Sequence, residues 1–227
     1  MAKKELSAKT WTTGFPVRLH LRNDLHLARK VWHMGTGLLM VAIYLSGLSR
    51  TGSVLTLGSL LGVALLIEGA RLRMPAFNKK VLRYWGPLMR SSEVNRVSGV
   101  PYYLAAAILA VGIFPKPIAA LSLLYLACGD PIASLFGILY GHHSVRFANG
   151  KSLVGSVASV VTCMFVTFLF FNILPVRIGD VALLTLVGGL AGGLAEHLPL
   201  EVDDNFSIPV ISGFALWLAC ILLGISF

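Results

Sequence analysis

Long apolar runs separated by short polar punctuation dominate this chain. Seven stretches, at about 32–48, 53–72, 98–114, 117–139, 153–174, 181–198 and 206–226, carry few charged residues. Crossing roughly 30 Å of hydrocarbon takes about 20 helical residues, and a helix satisfies its own backbone where there is no water to do so. The pattern predicts an all-α, polytopic helical membrane protein with about seven transmembrane helices. The turns at 49–52 and 115–116 leave no room for soluble domains between the spans. Residues 32–227 therefore read as a single integral membrane domain, preceded by a polar basic N-terminal arm at 1–31. That arm has no apolar segment followed by a small-residue cleavage site, so it does not read as a cleavable signal peptide.

Composition supports the membrane and charge orients the chain within it. Of 227 residues, 56% are hydrophobic and only 13% charged, where a soluble domain carries about 25% charged residues. Nineteen Lys and Arg against ten Asp and Glu give a net charge of +9. On a seven-span topology, 16 of the basic residues fall on the side of the N-terminus and 3 on the other. The positive-inside rule then makes the N-terminus cytoplasmic, and topology accounts for the basic excess without a nucleic-acid partner. The three cysteines, Cys128, Cys163 and Cys220, lie in apolar runs without metal-ligand spacing and read as packing residues.

The informative residues are the acids at the span ends, because an ionisable group at membrane depth is costly and marks function. Glu68, Asp130 and Glu196, with the loop acids Glu201, Asp203 and Asp204, all fall towards the cytoplasmic side, and His33 joins them at the start of the first span. Glu68 and Arg71 are also spaced for a helix-end salt bridge. Asp130 stands between Gly129 and Pro131. Proline removes a backbone donor and disfavours helical geometry in the residue before it, so a broken helix facing a protein-lined cavity is expected there.

Directly after this span comes YGHHSVRFANGKSLVGS. Gly141, Gly150 and Gly155 permit close approach to an anion, Arg146 and Lys151 supply charge, and Ser152 and Ser156 supply hydroxyls. A helix starting near Ser152 adds free amides and a positive dipole end. The spacing is not that of a Walker loop, because Val145 stands where the first glycine belongs. Further on, Asp203, Asp204 and Asn205 offer the oxygen ligands that magnesium takes alongside phosphate, although the same run suits a helix cap.

These motifs, in this order, resemble the membrane CTP-dependent lipid kinases, the group of dolichol kinase, phytol kinase and CTP-dependent diacylglycerol kinase. The resemblance rests on Arg29, Lys30, His33 and Gly37, on Glu68 with Arg71, and on RVSG at 96–99. It continues through GDPIAS at 129–134, GKSLVGS at 150–156, and Glu196 followed by Asp203, Asp204, Asn205 and Pro209. It implies that 32–227 is a catalytic domain transferring the terminal phosphoryl group of CTP to the hydroxyl of a polyprenol, phytol or diacylglycerol at the cytoplasmic face, with Mg2+ as cofactor. It further implies Asp130, Lys151, His33 and Glu68 as catalytic residues. Gly129, Gly141, Arg146, Gly150, Lys151, Ser152, Gly155, Ser156, Arg71 and Arg96 would bind the nucleotide, and Asp130, Glu196, Asp203, Asp204 and Asn205 the metal. Three positions depart from the pattern: Val154 stands where relatives carry an acid, and His142 and His143 stand where a basic pair is expected after Gly141.

A similar lysine-and-glycine loop occurs in phosphatidate cytidylyltransferases, which would form CDP-lipid and release pyrophosphate. A proton-coupled transporter also accommodates buried acids, but no inverted repeat is apparent and the polar residues gather on one face instead of at the midplane.

Overall fold

The computed structural model describes residues 27–147, 149–174, 177–197 and 202–227, without the side chains of Ile178 and Glu196. The arm from 1 to 26 and the acidic residue Glu201 lie outside the described residues. Each of the seven predicted stretches contains a helix: α1 (Leu27–Leu45), α2 (Arg50–Arg73), α4 (Gly99–Ile113), α5 and α6 (Lys116–Leu124 and Asp130–Leu139), α7 (Leu153–Asn172), α8 (Ile178–Leu194) and α9 (Asp204–Leu222). By length and apolar composition, four helices suit a bilayer crossing: α2, the combined Lys116–Leu139 helix, α7 and α9.

The eighth feature is α3 (Pro75–Trp85), in a segment the hydrophobic pattern leaves as a polar loop. Pro75 starts it, and Met74, forced into extended geometry before proline, ends α2 and turns the chain. Its basic residues Lys79, Lys80 and Arg83 oppose Phe77, Val81 and Trp85, and none of its residues is buried.

The Lys116–Leu139 helix runs through the centre, and Leu121, Leu123, Tyr125 and Leu126 along it are fully buried. The expected break at Asp130 is instead a widening. Tyr125–Gly129 form a π turn and Gly129 keeps right-handed helical angles. The turn absorbs the donor that Pro131 lacks, as π-bulges do without ending a helix. The carbonyl of Leu126, five residues before Pro131, is met by His33 Nε2 from α1 at 3.3 Å.

Small residues seat the surrounding helices. On α8, Gly188, Gly189, Gly192 and Gly193 face α7, and a Cβ on Gly193 would lie 2.6 Å from the backbone of Val160. This is the small-xxx-small seam of membrane helix pairs. By contrast, α1 and α2, though consecutive, hardly touch: α1 packs on α5 and α2 on α4.

Candidate active site

Two cavities lie against one another, sharing lining residues. The first is polar, about 260 Å³, and is lined by Arg29, Lys30, His33, Arg90, Asp130, Arg146, Gly150, Lys151, Ser152, Gly155, Ser156, Asp204 and Asn205, among others. The second is apolar, about 590 Å³, and fills the gap between α1 and α2, where Leu39, Met40, Ile43, Leu57, Leu60 and Ile67 face it. Tyr103, Leu104 and Val111 of α4 form its back wall. Arg29, His33 and Asn205 line both.

Asp130 opens α6 and borders the polar cavity, and among the described residues its carboxylate makes no hydrogen bond or ion pair. Lys30 and His33 are among the ionisable groups in electrostatic range of it. A carbonyl can only accept, so the Nε2 that His33 gives to Leu126 carries the proton, leaving Nδ1 for another partner. The imidazole is stacked on Tyr103 with ring centroids 5.0 Å apart.

Arg146, Gly150, Lys151 and Ser152, ahead of α7, line the same polar cavity. Gly150 has φ +80°, a left-handed angle that favours glycine, and it closes a tight turn pinned by Arg146 Nη1 on the Gly150 carbonyl at 3.0 Å. Lys151 Nζ reaches Asp204 Oδ2 at 3.0 Å. Ser156 Oγ lies 2.6 Å from His197 Nε2.

The backbone of this loop is spent internally. Ser152 is the N-cap of α7 and its hydroxyl accepts from Gly155 N at 3.2 Å. The amides of Leu153, Val154 and Ser156 donate to Val145 O, Ser144 Oγ and Ser152 O. The expected free helix amides are therefore already satisfied, and an anion here meets side-chain cations.

Several predicted site residues stand elsewhere. Glu68 and Arg71 form a buried pair, with Arg71 Nε and Nη2 donating to Glu68 at 2.9 and 2.6 Å. The remaining donors of Arg71 go to the carbonyls of Glu93, Val94 and Arg96, so all five of its N–H groups are used and none is left for phosphate. Glu68 also accepts from Ser98 N and Oγ, both at 3.0 Å, and borders the apolar cavity. Arg96 enters the network through its carbonyl and lines neither cavity. Gly129 and Gly141 are packing positions, since a Cβ on either would fall 2.8 Å from Cys163 or Ser152. Asp203 Oδ1 caps α9 by accepting from Asn205 N at 2.9 Å. The side chain of Glu196 is outside the described residues. His142 and His143 are exposed, their rings tilted against each other with centroids 4.1 Å apart, and Val154 lines neither cavity.

Arg90 is the cavity residue that sequence reasoning missed, because topology already explained every basic residue of its loop. A signal existed in Arg90-Ser-Ser-Glu93, a capping-box spacing. Glu93 Oε2 accepts from Arg90 N at 2.8 Å, and the same carboxylate takes Arg29 Nη1 at 3.0 Å. One buried acid thus fixes a guanidinium and the backbone under a second one.

Among the described residues, no three His, Cys, Asp or Glu side chains converge as a metal cage. Magnesium does not require one, since it is usually held by one or two carboxylates together with phosphate oxygens and water. Asp130 and Asp204, both bordering the polar cavity, fit that donor set.

No family model matches the chain, and no solved structure does. Curated proteins do. CTP-dependent diacylglycerol kinase 1 of Saccharomyces cerevisiae is 28% identical over 93% of this chain and 82% of its own length. Its counterpart in Schizosaccharomyces pombe is 33% identical over 65% of this chain and 72% of its own. Phytol kinase of Synechocystis is 30% identical over 96% of this chain and 89% of its own.

Proposed function

The chain belongs to the family of membrane CTP-dependent lipid kinases, and on that premise we propose that it transfers the terminal phosphoryl group of CTP to the hydroxyl of a membrane lipid alcohol. The observation that carries this reading is the junction: a cation-lined polar cavity and a chain-sized apolar one share Arg29, His33 and Asn205. An alcohol whose tail lies between α1 and α2 brings its hydroxyl to that junction without taking the tail into water.

Phosphoryl transfer needs positioning and charge neutralisation more than covalent chemistry from the protein. Arg146 and Lys151 hold the triphosphate. Asp130, carrying no other partner among the described residues, receives the hydroxyl proton as the oxygen attacks the terminal phosphorus. The bond from that phosphorus to the bridging oxygen breaks, and CDP leaves with the electron pair. His33, held by its Nε2 on the Leu126 carbonyl, borders both cavities and walls the place where the hydroxyl sits. Asp204 would hold magnesium, which when bound offsets phosphate charge, and Asp130 is kept for the proton. Glu68 and Arg71 act at a distance, by fixing the loop that carries Arg90 and Glu93.

Seven crossings with a cytoplasmic N-terminus are part of this reading. They are supported by the coincidence of seven apolar stretches with seven helices and by the 16-to-3 division of basic residues. The active face is then cytoplasmic, where CTP is available. The relatives named above are kinases, so the cytidylyltransferase reading gains no support from them.

The test is a matrix of nucleotides against lipids, using full-length protein in phosphatidylcholine vesicles with magnesium. CTP with diacylglycerol, phytol or a polyprenol is expected to yield CDP and the lipid monophosphate in at least one case. Pyrophosphate with CDP-lipid, or no transfer to any lipid from any nucleotide, would overturn the reading.

A further inference from the structure

The cations of the polar cavity come in two groups from different segments of the chain. Arg146 and Lys151 come from the loop between α6 and α7, and neither borders the apolar cavity. Arg29 and Lys30 come from α1 and Arg90 from the segment after α3. Arg29 borders both cavities, and Leu88 and Met89, next to Arg90 in the chain, border the apolar one. The two groups are also held differently. Lys151 is paired with Asp204 at 3.0 Å and Arg146 with the Gly150 carbonyl. Glu93 clamps Arg29 and accepts from the Arg90 backbone amide, while the Arg90 guanidinium is exposed and makes no ion pair among the described residues.

A single phosphate site would serve the nucleotide alone. After transfer, however, the phosphate is covalently tied to a chain lying between α1 and α2, so it stays at the cavity mouth while CDP departs on the other side. The charge it brings, about −1.5 to −2 near neutral pH for a monoester, appears where the uncharged alcohol had none. Arg29 is the cation that borders the apolar cavity, and Lys30, next to it in the chain, and Arg90, whose amide is held by the same Glu93, are grouped with it.

We propose that Arg90 and Lys30, with the clamped Arg29, form a separate site for the phosphate monoester of the lipid product, distinct from the nucleotide site of Arg146 and Lys151. This rests on the kinase reading above. It assigns the two basic groups to opposite products of one reaction, and it makes Arg90 the residue through which accumulated product occupies the mouth against fresh alcohol.

Affinity separates the two sites. Phytyl monophosphate and phosphatidate, each in phosphatidylcholine bicelles, and CTP and inorganic phosphate in solution are titrated onto the full chain and its variants. Arg90→Gln should weaken both lipid monophosphates about tenfold while CTP affinity changes less than about twofold, and Arg146→Gln should do the reverse. Lys30→Gln should follow Arg90→Gln. Equal losses for both ligands in either arginine variant would overturn the division. So would unchanged lipid monophosphate binding in both Arg90→Gln and Lys30→Gln, or inorganic phosphate binding as tightly as the lipid monophosphates. If the asymmetry holds but no nucleotide phosphorylates any lipid, the lipid phosphate site stands and the kinase reading falls.

Discussion

Arg71 shows how the same residue types serve opposite ends depending on where they point. A buried arginine with every donor occupied stabilises, and removing one partner of such a pair costs about 3–5 kcal/mol because the other charge is stranded. Arg71→Met should therefore lower the thermal midpoint by several degrees in a detergent melt, and Glu68→Gln, which keeps the shape but strands the Arg71 charge, by a comparable amount. Asp130 should behave in the opposite way. Asp130→Asn is expected to leave the melt within a degree or two while reducing kcat by about 10²–10⁴-fold, the span of a lost general base. Both behaviours are readable from one preparation by differential scanning and turnover with CTP. In the sequence, Asp130, Lys151 and Arg146 were legible because polar groups in or beside apolar runs have few structural excuses. The Glu68–Arg71 pair was legible from its spacing, but the direction it faces was not, since an ion pair near a site looks the same in one dimension whether it points in or out. Arg90 was hidden by a sufficient explanation of a different kind, the topological bias of basic residues.

At the scale of elements, periodicity and length placed the helices because each apolar run is long compared with the turns between them. What escaped was α3, eleven residues with a charged face, a proline at its first turn and no buried position. The π turn escaped too. Gly-Asp-Pro reads as a breaker, but central burial of Tyr125–Gly129 holds the helix through it and a side chain from α1 takes up the Leu126 carbonyl. The α7–α8 seam gives a sharp elemental prediction. Gly193→Val, which would force a side chain into the Val160 backbone, should destabilise by roughly 1–3 kcal/mol as overpacking does. Gly62→Val on the exposed face of α2, where nothing lies within 4 Å of a Cβ, should leave the midpoint nearly unchanged in the same melt.

For the molecule as a whole, the decisive relation is between two cavities, and no single motif announces it. Residues from α1, α2, α4, the segment after α3 and α9 meet at the junction, so their convergence depends on packing order and not on spacing along the chain. Filling the apolar cavity at Leu60 with tryptophan should raise the apparent KM for long-chain alcohols about tenfold or more while leaving KM for CTP within about twofold, if one or two kcal/mol of chain contact is lost. Steady-state kinetics in mixed micelles would show it, and equal changes in both constants would refute it. The gap between α1 and α2 carries one more consequence. A substrate arriving through it never becomes a solute. Its encounters are governed by lateral diffusion and by its mole fraction among the surrounding lipids, so diluting the bilayer with inert phospholipid slows the enzyme even when the total amount of alcohol is unchanged.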